Sequence, residues 1–150
     1  MNAQRGFTLV EAMVVLSIIV ILAGVGIPAM QDFLSSQRVK SAASELFSDI
    51  LQARSEAIKR NTDVTLAPVG SWNGGWTIAN PVDGQPALAS HAAPNRVTIN
   101  GPVSLVYTSE GRVRGAANPK FDFSSPDGKK RCIVVDLGGR PTVQPRACGG

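Results

Sequence analysis

From Phe7 to Ile27 the chain carries a single charged residue, Glu11. At about 1.5 Å per residue this run is roughly 32 Å long as a helix, enough to cross a hydrocarbon core of about 30 Å. It exceeds the core of a secretory signal peptide, about 7–15 apolar residues, and Ala23-Gly24-Val25 is a poor small-residue cleavage site. A carboxylate near the bilayer centre costs about 2.5–3.5 kcal/mol on insertion scales, so Glu11 calls for a partner. Arg5, ahead of the run, favours a cytoplasmic N-terminus and an external C-terminus. Late in the run, Gly24, Gly26 and Pro28 weaken the helix, and Pro28 predicts a kink or local melting.

Past Pro28 the pattern turns amphipathic. Met30, Phe33, Leu34, Ala43, Leu46, Phe47, Ile50, Ala53, Ala57 and Ile58 recur at three- and four-residue steps, with charges between them. That is a helix with one buried stripe, and basic residues followed by Asn end it near Arg60-Asn61. The whole helix is read as about 7–60. Arg54, Glu56 and Arg60 read as surface pairs at helical spacing.

From Asp63 onward short apolar runs are broken by Gly, Pro, Asn and Asp. Strands are predicted at Val64–Ala67, Trp76–Ala79, Arg96–Ile99, Ser104–Tyr107, Arg112–Arg114, Lys120–Phe123, Cys132–Leu137 and Thr142–Gln144. Turns are predicted at Asn73-Gly74-Gly75, Asp83-Gly84, Glu110-Gly111 and Asp127-Gly128. Pro81 to Pro94 reads as a mobile loop with one short strand at most. One of Trp72 and Trp76 is expected in the core and the other half exposed. Tyr107, Phe121 and Phe123 alternate as core residues do. The fold class is α+β: one long N-terminal helix packed on antiparallel sheet.

The segment Gly6-Phe7-Thr8-Leu9-Val10-Glu11 and its apolar run resemble the type III signal of type IV pilins and pseudopilins. That resemblance implies cleavage after Gly6 by a prepilin peptidase, N-methylation of Phe7, and a role for Glu11 in assembly. There its carboxylate meets the terminal amine of a neighbouring pilin. It also implies a division into a leader (1–6), a transmembrane half-helix (7–29), an amphipathic half-helix (30–61) and a β head domain (62–150). The protein would sit in the inner membrane with its head in the periplasm, and enter a pilus with other pilins. The segment Ala42–Ile58, the pair Gly75-Trp76 and the basic late strands resemble more narrowly the FimT/GspH group of minor pilins and pseudopilins.

The chain's formal charge is +4. From Gly111 onward there are eight basic residues, Arg112, Arg114, Lys120, Lys129, Lys130, Arg131, Arg140 and Arg146. Against them stand three acids, Asp122, Asp127 and Asp136, so this stretch holds a surplus of five. Such asymmetry points to a polyanion, with a solvated basic face as the alternative. Some FimT-type proteins bind DNA during natural transformation, and the resemblance associates this with Gly-Arg-x-Arg in the tail. The literal pattern stands earlier here, as Gly111-Arg112-Val113-Arg114; at the tail position the chain reads Gly139-Arg140-Pro141-Thr142. Arginine forks match phosphate oxygens, and few aromatics accompany the basic residues, so backbone contact without base readout is expected. The expected DNA-binding residues are Arg140 and Arg146, then Arg112, Arg114, Lys129, Lys130 and Arg131. The alternative is a GspH-type pseudopilin of type II secretion with no DNA binding.

Cys132 and Cys148 read as one disulfide in an oxidising compartment, with two free thiols as the alternative. A bridge would close a loop of about 15 residues, worth roughly 3 kcal/mol in the chain-entropy account. No metal site and no cofactor are expected, since His91 is the sole histidine and no ligand spacing accompanies the cysteines. No nucleophile–base pair stands out, and no enzyme is expected.

Overall fold

The computed structural model describes residues 8–149, leaving aside the side chains of 25–29. The leader and the cleavage position at Gly6 and Phe7 lie outside the described residues. One helix, α1 (Leu9–Arg60, 52 residues), is followed by eight strands. These are β1 (Val64–Val69), β2 (Ser71–Ile78), β3 (Ala89–Ala92), β4 (Thr98–Asn100), β5 (Leu105–Tyr107), β6 (Lys120–Ser124), β7 (Lys130–Val135) and β8 (Pro141–Gln144). Two compact units divide between Leu34 and Ser35.

The first unit is the beginning of α1. Thr8 caps it: its hydroxyl oxygen accepts the Glu11 N–H at 3.2 Å, the Thr-x-x-Glu spacing of a capping box. The backbone remains helical through Pro28, so the local melting expected there is not seen. Leu9, Val10, Met13, Leu16 and their neighbours to Leu22 are exposed. Among the described residues no helix is long and apolar enough to cross a membrane. The described apolar stretch Leu9–Gly24 reaches roughly 24 Å, short of the roughly 30 Å core. Of the expected span 7–29, Phe7 lies outside the described residues, and the helical backbone continues through 25–29 with their side chains left aside.

In the second unit, α1 buries Val39, Ala42, Ala43, Leu46, Ile50, Ala53 and Ala57. These fall on one helical face and share one hydrophobic core with the inward side chains of both sheets. The expected stripe was too wide. In this unit Ile58 is exposed, because at about 3.6 residues per turn it falls off the face that the core residues follow; in the first unit Met30, Phe33 and Leu34 are exposed as well. α1 ends at Arg60 in a Schellman turn: Asn61 takes φ 50°, Thr62 N–H donates to Ala57 O at 3.2 Å and Asn61 N–H to Ile58 O at 3.2 Å.

Two four-stranded antiparallel sheets complete this unit, in the orders β3-β2-β1-β5 and β4-β6-β7-β8. Inward positions alternate, as in β6, where Phe121 and Phe123 are buried between half-exposed or exposed neighbours. The sheets are joined where Asn73 Oδ1 accepts the Ile99 N–H at 2.7 Å and where Trp72 meets Phe121 edge to face, centroids 4.9 Å apart.

Three strand expectations change. β2 runs through Asn73-Gly74-Gly75, which is not a turn; the hairpin turns instead at Gly70, φ 72°. Glycine is needed at Gly75 because β3 passes so close that a Cβ would lie 2.9 Å from the Ala92 carbonyl carbon. Arg112–Arg114 is not a strand but a single bridge, Val113 to Tyr107. Arg96 leaves the strand predicted around it with φ 56°, and β4 begins at Thr98. Trp72 and Trp76 are both buried, since each indole N–H finds an acceptor inside, Pro102 O at 2.7 Å and Asp49 Oδ2 at 2.7 Å. The segment 81–94 holds one short strand, β3, as expected.

Candidate basic interface

The basic residues fall into two groups at opposite ends of the β7–β8 hairpin. This hairpin pairs Val135 with Pro141 at its turn and Cys132 with Gln144 at its open end. Arg140 sits at the turn and Arg146 beyond the open end, roughly 20 Å apart at strand rise.

At the turn end lie Arg112, Arg114 and Arg140. Val113 N–H donates to Leu137 O at 3.2 Å, which places the Gly111–Arg114 motif beside the turn. Arg114 pairs with Asp63. Arg140 Nε reaches Asp136 Oδ2 at 3.3 Å, and its N–H donates to Oδ1 at 2.9 Å. The backbone N–H of Arg140 holds the Asp136 carboxyl below its ordinary range, with its guanidinium adding to the effect. Two of the three arginines therefore have carboxylate partners. Thr142, at the place of the second motif arginine, donates its hydroxyl to Val134 O at 3.2 Å.

Beneath this end is a polar lock that the sequence reading missed. Arg54, expected as a surface pair, is half-buried. Its Nε donates to Gly111 O at 3.0 Å and its Nη2 to Gly138 O at 3.1 Å. Tyr107 donates its hydroxyl to Gly139 O at 3.1 Å, and burial pushes this phenol well above its ordinary value of 10.0. The helix, the turn after β5 and the β7–β8 turn thus meet on one guanidinium, and the Tyr107 hydroxyl ties β5 to the same β7–β8 turn. The signal available was the pair of turns at Gly111 and Gly139, but nothing in the spacing tied them to Arg54. Glu56 is the surface partner expected, bonded to Arg60 Nε at 2.8 Å and Lys59 Nζ at 3.4 Å.

At the open end lie Lys129, Lys130, Arg131 and Arg146. They line one cleft of about 500 Å³ with Gly128, Pro145, Ala147 and, from α1, Ser36 and Val39. The cysteines form the expected disulfide, with Cα atoms 5.0 Å apart. It brings the tail back to β7, so residues sixteen apart in sequence share one site. Arg146 Nε donates to Gln144 Oε1 at 3.3 Å. Among the described residues Lys130, Arg131 and Arg146 have no carboxylate within ion-pair distance.

His91 is not a loop residue but part of β3. It stacks on Trp76, centroids 5.4 Å apart, and its Nε2 lies 3.2 Å from Asp49 Oδ2. The buried Asp49 carboxylate is thereby shared between an indole and an imidazole. Among the described residues no group of three His, Cys, Asp or Glu could hold a metal.

Residues 42–139 match the family described as type II transport protein GspH, and residues 1–27 match the prokaryotic N-terminal methylation motif. The chain belongs to the GspH family. It is a minor pilin or pseudopilin, carrying the motif at which such chains are processed and methylated. A fimbrial protein of Pseudomonas aeruginosa is 33% identical over 120 residues, covering 78% of this chain and 75% of that one. The type IV major alpha-pilin of Moraxella bovis is 50% identical over 46 residues, 31% of this chain; the match spans only 29% of that pilin's length. The fold of this GspH-family chain is also that of the minor pilin FimU of Pseudomonas aeruginosa, with TM-score 0.63 at 21% identity over 74% of this chain and 98% of FimU. The minor pseudopilin EpsH of the type 2 secretion system of Vibrio cholerae gives 0.57 at 13% identity, over 75% and 99%.

Proposed function

We propose that this GspH-family protein is a FimT-like minor type IV pilin that enters or primes a pilus and binds DNA without sequence preference during natural transformation. The prepilin peptidase cuts after Gly6, and Phe7 is N-methylated. The segment 7–29 holds the protein in the inner membrane with residues 62–150 in the periplasm. Glu11 meets the terminal amine of a neighbouring pilin during assembly. The observation that supports DNA as ligand is the cleft where Lys129, Lys130, Arg131 and Arg146 converge. Several cations on one face neutralise adjacent phosphates and release counterions, and this drives backbone binding. The residues lack an aromatic platform, which favours phosphate contact over base stacking.

The test is a mobility shift of duplex DNA by the full-length protein in detergent across a salt series. Affinity should be micromolar or tighter at low salt and fall steeply with added salt; no shift at low salt overturns the reading. The second reading is a type II secretion pseudopilin without DNA binding. It is favoured by the family description and by the fold shared with EpsH. Loss of type II secretion on deletion of the gene, with transformation unchanged, would decide for it.

A further inference from the structure

We infer that the Cys132–Cys148 disulfide is a working part of the phosphate-binding cleft, acting as the positioning element for Arg146; the inference rests on the DNA-binding reading above. Cys132 holds the tail twice. Its backbone pairs in register with Gln144, the last residue of β8, and its sulfur bonds Cys148. The three residues between, Pro145-Arg146-Ala147, form a loop whose two ends close on one strand position. Proline fixes one φ of this loop, and the bond from the Arg146 guanidinium to Gln144 Oε1 at 3.3 Å restricts the side chain further. The Cys148 N–H donates to Asp122 Oδ1 at 3.3 Å, so the far end is also held to β6, opposite Cys132 in register.

The opposite wall comes from the same strand. Lys130 and Arg131 immediately precede Cys132, and Lys129 enters from the turn. The disulfide therefore fixes the separation between Arg146 and the Lys129–Arg131 group. Without it, Arg146 belongs to a segment after Gln144 that is rich in small residues and is no longer tied to β7. A flexible arginine must be ordered when it meets a phosphate, and that ordering costs side-chain and backbone conformational entropy. A preformed site avoids that cost.

The test uses the full-length protein in detergent and short duplex DNA over a salt series. Four variants are compared: Arg146→Ala, Cys148→Ser, the two combined, and an insertion of Gly-Gly between Arg146 and Ala147 that keeps both cysteines. Arg146→Ala should weaken binding about tenfold and lower the salt slope by about 0.9, the loss of one charge-assisted contact. Cys148→Ser and the insertion should each come close to the Arg146→Ala value, and the double variant should be no weaker than Arg146→Ala alone. A merely structural bridge would instead give additive losses and would spare the insertion variant, in which the bridge is retained. Thermal melts identify any variant that fails to fold, and the insertion then carries the decision. Unaltered binding by the insertion variant, or by Arg146→Ala, overturns this inference while leaving the DNA reading in place. Failure of the unaltered protein to bind DNA overturns the DNA reading itself.

Discussion

Arg54 donates through its guanidinium Nε to the backbone oxygen of Gly111 at 3.0 Å, across 57 residues of sequence. The same side chain reaches Gly138 O at 3.1 Å. One helical arginine thus holds two turns that come from different strands of the head. Planarity is what allows this, because a guanidinium presents donors in a fixed fork and an ammonium does not.

Arg54→Ala should therefore destabilise the head by about 2 kcal/mol, the scale of hydrogen bonds to a charged group with its carbonyl partners left unsatisfied. Arg54→Lys should recover little of it. Urea unfolding followed by tryptophan fluorescence measures both; equal stability of Arg54→Ala and the unaltered protein would refute the role.

Gly139 takes φ 82°, and a Cβ there would collide with the Gly111 carbonyl and lie 2.9 Å from Tyr107 Cε1. Gly139→Ala should cost about 3 kcal/mol through strain and crowding together. Gly128 also has a positive φ, of 79°, but meets nothing within 4 Å. Gly128→Ala should therefore cost no more than about 1 kcal/mol. The contrast between the two melts is the measurement.

Trp76→Phe keeps the ring over His91 but removes the N–H from the buried Asp49 carboxylate. The expected loss is about 2 kcal/mol. Removing the acid as well, in Trp76→Phe with Asp49→Leu, should be less harmful than the sum of the two single changes, since no orphaned charge remains. A double-mutant cycle in urea gives the coupling.

Two groups set opposite pH limits. The Asp136 carboxyl is held low by the Arg140 backbone N–H, so its contribution is present above the ordinary value of 3.8 and lost as pH falls below it. Tyr107 is held high by burial, so its contribution is present below pH 10.0 and lost as pH rises above that value. Asp136→Asn should flatten the acid limb of a stability profile, and Tyr107→Phe the alkaline limb. Limbs unchanged by these substitutions would contradict the assignments.

Among the basic residues, the two ends of the β7–β8 hairpin should behave differently. Arg131→Ala should weaken DNA binding about tenfold, whereas Arg114→Ala and Arg140→Ala, which break pairs with Asp63 and Asp136, should change it less than threefold. Titration at low salt reads the difference; a larger loss at Arg140 would move the interface to the turn end.

Much of this protein could be read locally. The helix end at Arg60-Asn61 follows from a basic last turn and a residue that tolerates φ 50°. The turns at Gly84, Gly111 and Gly128, the inward alternation of Phe121 and Phe123, and the pairing of Cys132 with Cys148 lie within short stretches of sequence or depend on residue type alone. Such features are legible because backbone sterics and side-chain alternation act over a few residues. The exact buried stripe of α1, the burial of both tryptophans and the use of Arg54 were not legible. A charged or aromatic residue on a helix or strand looks the same in sequence whether its partner is water or a carbonyl 57 positions away.

The division of the basic residues is the same lesson at the level of function. The sequence by itself determined that positive charge gathers after Gly111, and supplied one pair of cysteines able to return the tail to the head. Only the tertiary structure decided which charges meet. Strand register set Arg140 against Asp136 at one end and carried Arg146 to Lys129–Arg131 at the other. Register is a property of paired strands, fixed by what each face buries, and no single strand contains it.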